Sequence, residues 1–333
     1  MPQGYHHLDR DQRCQLYTLK ERGDSFASIA KALRVDRSTI SRELKRNNGK
    51  RGYRYKQANE KAQHRRNMTN QQRKKMTPAM VALIEGKVRL QWSPTQISGW
   101  LKKSGYANAV SHETIYQHVW RDKQTGGSLY KELRHHRKKY NKRSKGTAGR
   151  GCIPNRVDIR ERPPIVEEKV RVGDWELDTI IGAGQKGAIV SMVDRASKLT
   201  MLAKISRKTA EETEAVLVER LTSVREFVHT LTADNGKEFA NHQSIGLALG
   251  ADFFFATPYH SWERGLNEHT NGLIRQYFPK STCFDNVSSD DLRKVETLLN
   301  NRPRKGLHFS TPLEVFHQLS QQVITSSLFE SSA

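Results

Sequence analysis

The chain has 333 residues, 35% hydrophobic and 28% charged, a balance that fits two or three folded domains and excludes a disordered or low-complexity polymer. No run of about 18 apolar residues occurs, so no membrane span is expected, and Met1–His7 lacks the basic-then-apolar order of a signal peptide, which predicts a cytoplasmic protein. The net charge of +22 is lopsided: residues 1–160 hold 37 Lys/Arg against 12 Asp/Glu (+25), while the rest stands at −3, as in a nucleic-acid-binding half joined to a half with another task.

Residues 8–47 predict a small helical unit. A helix from Leu8 to Lys20 ends at Gly23. Two short helices follow, over Ser25–Leu33 and from Asp36 to Arg46. Ile29, Ala30 and Leu33 make one apolar face, Ile40 and Leu44 another, and Asp36 is the N-cap of the second helix. This is a helix-turn-helix pattern. It leaves Arg37, Ser38, Thr39, Ser41, Arg42 and Arg46 to reach base edges and phosphates. Residues 51–75 are basic and polar and suggest a linker with some helix, following a first domain at 1–50.

Residues 76–121 repeat the theme. Thr77-Pro78 opens a helix with Val81, Leu83, Ile84 and Val88. Ser93-Pro94-Thr95-Gln96 carries an N-cap, a first-turn proline and a capping-box glutamine. Ser111 caps a further helix bearing Ile115, Tyr116 and Val119, with Ser111, His112 and Gln117 on its outer side. Either unit alone fits an ordinary helical hairpin equally well; two in tandem on so basic a background favour DNA binding. A polybasic connector (122–165) follows, with Arg137, Lys138, Lys139, Lys142 and Arg143 placed to hold phosphates. The cysteines at 14, 152 and 283 are too dispersed for a disulfide framework or zinc site and are expected as thiols.

From Gly173 the pattern changes. Strands are predicted at 175–181, 187–193, 199–205, 228–232 and 252–256, with helices at 208–225, 237–249, 262–278 and 290–301. This order predicts an α/β ribonuclease-H-like domain over 166–320, followed by a tail at 321–333. The whole is an α+β multidomain chain, with all-α helix-turn-helix modules first.

Three acids stand out. Asp178 lies mid-strand in Trp175-Glu-Leu-Asp-Thr, where an unpartnered carboxylate is costly. Asp234 ends a strand at an Asp-Asn-Gly turn, the sheet edge where α/β folds place ligands. Glu268 falls on a helix in Asn267-Glu-His-Thr-Asn. Phosphodiester transfer uses two Mg²⁺ (or Mn²⁺) ions held by a few carboxylates. Alone, Asp234 fits a turn cap and Glu268 an exposed helix acid; Asp174, Glu176 and Asp194 are rivals to Asp178. Lys237 and Arg275 are placed to touch phosphate, with Arg264 and Lys280 weaker choices. His260 and His269 could shuttle protons but more simply bond locally, and Trp262 suits the core.

Trp175-Glu-Leu-Asp178, Asp234-Asn-Gly-Lys-Glu-Phe239 and Asn267-Glu-His-Thr-Asn-Gly-Leu-Ile-Arg-Gln-Tyr-Phe-Pro279 together resemble the signatures of bacterial DDE transposases of insertion-sequence family thirty, in the retroviral-integrase-like superfamily. The family spacing of 33 residues between second Asp and Glu is matched here. Asp36–Leu44, Asn301–Leu307 and Thr311–Phe316 extend the resemblance over nearly the whole chain. Leu177 stands where the family commonly has Gly, and His269 where it has Asn. The resemblance implies an integrase core in which Asp178, Asp234 and Glu268 bind two Mg²⁺ ions and catalyse strand cleavage and transfer. It also implies binding to double-stranded inverted repeats and target DNA, nucleoid association, and a homodimer or higher oligomer in the active complex. A DNA-binding regulator with an inert C-terminal half, and a nuclease that stops after hydrolysis, are the alternatives.

Overall fold

The computed structural model describes residues 7–72, 75–134, 153–258, 260 and 265–330, with 70–72 and 323–330 as backbone only. The chain divides into two compact units, Met1–Thr77 and Pro78–Ala333.

The first unit holds α1 (Arg10–Glu21), α2 (Phe26–Leu33), α3 (Arg37–Asn47) and α4 (Tyr55–Gln72). Each of the first three is capped by a side chain accepting from a first-turn amide: Asp9, Ser25 and Asp36. Such a cap is worth ~1 kcal/mol over Ala. The turn between α2 and α3 is tight because Arg34 adopts left-handed geometry (φ 54°). Leu16, Ile29, Leu33, Ile40 and Leu44 form the core. The stretch expected as a basic linker is mostly α4, whose Ala58 and Ala62 are buried. Small residues there allow close approach to the other helices, a signal masked in sequence by the surrounding charge. A buried polar clamp joins three helices. Arg13 donates through Nε to Glu43 (2.7 Å) and through Nη1 to Asn59 (3.1 Å), and Tyr53 donates to the same Glu43 (3.2 Å).

The second unit begins with α5 (Pro78–Arg89), α6 (Pro94–Lys103) and α7 (His112–Gln124). The Ser93–Gln96 capping box forms as its sequence predicts, and Ser111 caps α7. Then come β1 (Val157–Asp158), α8 (Ile165–Glu168), β2 (Asp174–Ile181), β3 (Ala188–Asp194), β4 (Thr200–Ile205), α9 (Ala210–Thr222), β5 (Thr230–Ala233), α10 (His242–Leu249), β6 (Asp252–Phe255), α11 (Gly265–Tyr277), α12 (Ser289–Asn300) and α13 (Pro312–Glu330).

The sheet order is β1-β6-β5-β2-β3-β4. β2, β3 and β4 form an antiparallel meander, while β5 runs parallel to β2 and β6 parallel to β5, the ribonuclease-H-like arrangement expected from the element order. Strand periodicity sorts β2 between two cores. Trp175 and Leu177 join the core that includes Leu217, Ile245 and Phe316. Ile180 joins the other, with Leu273, Ile274, Phe284 and Leu299. Glu176 and Asp178 therefore share the face covered by α11 and α12.

Three details depart from expectation. The helix expected over 237–249 is broken: a 3-10 turn at Lys237–Phe239 precedes α10, because Phe239 turns fully into the core. β1 is a two-residue strand paired to β6, too short to leave a periodic signal. The expected tail at 321–333 continues α13 as far as Glu330. The long helix is described from Gly265, and Trp262 and Arg264 lie outside the described residues, as do Cys152 and the connector cations Arg137, Lys138, Lys139, Lys142 and Arg143. Among the described residues Cys14 and Cys283 are free thiols, and no helix is long and apolar enough to cross a membrane.

The C-terminal segment docks on α6. Phe309, itself left-handed (φ 62°), lies so close to Gly99 that a Cβ there would meet the ring at 2.2 Å. Lys103 donates to Ser310 (2.6 Å), and Arg302 donates through Nε to Gln96 (3.0 Å).

Candidate active site

The parallel register of β2 and β5 pairs Asp174 with Thr230, Trp175 with Leu231 and Glu176 with Thr232. Continued two residues, it sets Asp178 level with Asp234, on strands about 4.8 Å apart. Asp234 follows the last residue of β5, and its Oδ1 accepts from the Gly236 amide (3.0 Å). Asn235 ties the same turn to the Ala256 carbonyl beyond β6 (2.7 Å). The half-buried Asp178 accepts from the Thr179 amide (2.9 Å) and, through Oδ2, from the Asn271 amide (2.5 Å).

Helix α11 is thus fastened across β2. Asn271 acts on Asp178, and one turn earlier the buried Asn267 donates to the Leu177 carbonyl (3.1 Å). Ser191 of β3 donates to both the Asp178 carbonyl (3.4 Å) and Asn271 Oδ1 (3.3 Å). Glu268 sits next to Asn267 with its side chain exposed. Among the described residues no three His, Cys, Asp or Glu side chains converge as one metal cage. Asp178 and Asp234 stand level by register, and Glu268 lies on the exposed side of α11. The donor set still fits a hard divalent cation: Mg²⁺ takes oxygen ligands, uses one or two protein carboxylates and keeps several waters.

The rival acids have structural employment. Asp194 accepts from the Gly173 amide (2.7 Å) and from Ser197 N (2.7 Å) and Oγ (2.6 Å); burial pushes its pKa up to about 6 against those bonds. Asp174 accepts from Arg171 and Thr230, and Glu176 pairs with the buried Arg195. Arg275 donates through Nη2 to the Ile181 carbonyl (2.6 Å) and stacks 5.5 Å from the Phe284 ring, so part of its fork secures the end of β2. Lys237 and Lys280 are exposed. His260 hydrogen-bonds locally through its amide to Thr257. His269 has a lowered pKa, from partial desolvation first and then from the charges of Arg304 and Arg134.

Residues 4–47 match a helix-turn-helix domain family. The chain is 46% identical to the transposase of insertion sequence element IS4351 from Bacteroides fragilis, over 95% of this chain and 97% of that protein. It is 35% identical to the IS1086 transposase of Cupriavidus metallidurans, over 95% of each. It is 34% identical to the InsI transposase of IS30A from Escherichia coli K12, over 94% of this chain and 84% of the relative. The chain belongs to the IS30 family of insertion-sequence transposases.

In this transposase the outer face of α3 leaves Arg37, Ser41, Arg42 and Arg46 exposed, with Ser38 and Thr39 half-buried. A cleft of about 450 Å³ between α3 and α4 adds Arg65 and Arg66 to Arg42 and Arg46. Those two arginines were hidden in the supposed linker. On α7, His112 and Gln117 are exposed, while Ser111 Oγ accepts from Thr114 N. Sequence reasoning also passed over Asn267 and Asn271, although an Asn-x-x-x-Asn spacing puts two amides on one helix face. It missed Glu238 as well, which is buried and accepts from Thr179 Oγ1 (2.7 Å) and Lys208 (2.7 Å).

Proposed function

We propose that this transposase cuts and joins DNA at the Asp178–Asp234 pair, with Glu268 as the third catalytic acid. The register that sets Asp178 beside Asp234, with Asn271 orienting the former, carries the proposal. Two Mg²⁺ (or Mn²⁺) ions held there would supply the Lewis-acid charge that phosphodiester transfer needs. The protein's own part is orientation. Asn271 and the Thr179 amide fix one carboxylate, and the Gly236 amide fixes the other. Glu268, exposed one turn ahead of Asn271, approaches from the helix side. Water first attacks a phosphodiester at the element end, and a 3′-hydroxyl is released. That hydroxyl then attacks a second strand, so that one P–O bond forms as one breaks and no covalent enzyme–DNA intermediate is needed.

The helix-turn-helix faces of α3 and α7 recognise the inverted repeats, with Arg42, Arg46, Arg65 and Arg66 as phosphate contacts. Joining two ends in one complex implies a homodimer or larger assembly acting on nucleoid DNA in the cytoplasm. The test incubates the full chain and Mg²⁺ with a labelled element end and a target plasmid, beside Asp178→Asn, Asp234→Asn and Glu268→Gln. Joined products from the native chain alone support the proposal. Nicking without joining points to a nuclease, and DNA retention without cleavage under either metal points to a regulator.

A further inference from the structure

Behind α11, on the side away from Asn267 and Asn271, lies a cavity of about 750 Å³. Leu266, His269 and Leu273, recurring at helical spacing, form its floor. The helix-turn-helix helices α6 and α7 supply one wall, and the segment after α12 supplies the other. No carboxylate is among the described residues lining it.

Among the described residues its buried guanidinium groups Arg302 and Arg304 have no carboxylate bonded to them. Arg302 and Arg304 are 2% and 7% exposed. Arg302 donates to neutral oxygens on Gln96 (3.0 Å) and Gln276 (3.2 Å), and the Tyr277 hydroxyl acts on its charge. Arg304 donates through Nη2 to the Leu299 carbonyl (3.1 Å), while its Nε is buried with no acceptor, as is Nε of Arg134. Burial first, then the neighbouring Arg302 charge, pushes the Arg304 pKa down to about 10. Lys198 is likewise lowered, by burial and then by Lys169 and Arg304. Buried guanidinium groups without counter-charge are costly and are normally paired. Arg195, which also lines the cavity, has its partners in Glu176 and Glu167, which makes the contrast with Arg302 and Arg304 a local one. Beside these cations stand Tyr116, Tyr130 and Trp120, the last 45% exposed.

A basic pocket walled by aromatic rings, one of them exposed, is the chemistry that holds an unpaired nucleotide: phosphate on the guanidinium fork, base on the ring. We propose that this cavity takes one unstacked nucleotide of a DNA strand, its phosphate on Arg302, Arg304 and Lys198 and its base against Trp120. The proposal rests on the reading of this chain as a DNA strand transferase. It adds that strand ends are held one helix width, ~10 Å, from Asp178, between the second helix-turn-helix and the catalytic sheet.

The test uses the full chain with a 12-nucleotide oligo(dT) carrying one 5-iodo-deoxyuridine. It is irradiated, and the cross-linked peptides are mapped. Adducts are expected on peptides bearing Tyr116, Trp120 or Tyr130. Replacing Lys198→Gln together with Lys305→Gln, at the cavity rim, should lower that adduct about tenfold, as loss of one good phosphate contact does, while adducts elsewhere persist. Lys305→Gln alone, at an exposed position, gives a smaller drop in the same adduct and guards against a folding defect. Adducts confined to other regions, or undiminished in both variants, overturn the proposal. So does competition by dTMP or inorganic phosphate at the same nucleotide concentration, which would make the cavity a site for free anions. Asp234→Asn should keep the Trp120 adduct while losing strand joining, so failure of the cavity and failure of the catalytic assignment read out separately.

Discussion

Asn271→Ala separates orientation of Asp178 from stability of the fold. The Asn271 amide donates to Asp178 Oδ2 at 2.5 Å and accepts from Ser191 at 3.3 Å. A hydrogen bond to a charged acceptor is worth ~1.5–3 kcal/mol. At about 1.4 kcal/mol per decade, its loss from the orientation of a reacting group corresponds to roughly 10- to 100-fold in rate. Stability should fall by less than that, about 1 kcal/mol, since water can replace the lost donor at the half-buried Asp178, which retains the Thr179 amide, and Ser191 retains the Asp178 carbonyl. Asn267→Ala is the control. Its amide serves the Leu177 carbonyl at a site 1% exposed, so its loss strands a buried acceptor at a cost of ~1–3 kcal/mol and shows chiefly in the melting curve. The assay is strand transfer from a labelled end, with thermal unfolding of each variant measured in parallel. Asn271→Ala that joins DNA within about twofold of the native rate, a change worth under ~0.5 kcal/mol, refutes the orienting role. A melting loss as large as that of Asn267→Ala would refute the separation.

In the first unit, Glu43→Ala leaves Arg13 and Tyr53 buried without their acceptor. Urea unfolding should register ~3–5 kcal/mol of destabilisation, and a change below ~1 kcal/mol would mark the pair as solvent-screened. Gly99→Ala places a Cβ against the Phe309 ring and should cost ~1–3 kcal/mol; Phe309→Ala in the same chain should recover part of it, and additive losses would mean the two positions do not press on each other. Asp194 has its folded pKa raised to about 6, above its unfolded value. Its contribution to stability is therefore fully present below the unfolded carboxyl range and is lost as pH rises from about 4 through about 6. Asp194→Asn should remove that slope from a plot of unfolding free energy against pH, and an unchanged slope would assign it to other groups.

Much of this transposase is legible in one dimension. Caps and periodicity mark α2, α3, α6 and α7, because Ser25, Asp36, Ser93 and Ser111 act on amides two or three residues away and local chemistry determines them. The alternation in β2 marks Asp178 as facing the opposite way from Trp175 and Leu177, since pleating reverses each residue. The charge asymmetry and the spacing of the three acids are likewise properties of the chain alone. The tertiary structure decided what depends on partners distant in sequence. Asn271 meets Asp178 across 93 residues, Arg302 meets Gln96 across 206, and the charged helix α4 packs by two small alanines. The buried cations of Arg302 and Arg304 gather only when α6 and the segment after α12 come together. Hydrogen bonds and charges act through space over a few ångströms, and a linear order of residues fixes such distances only within a helix turn or a strand.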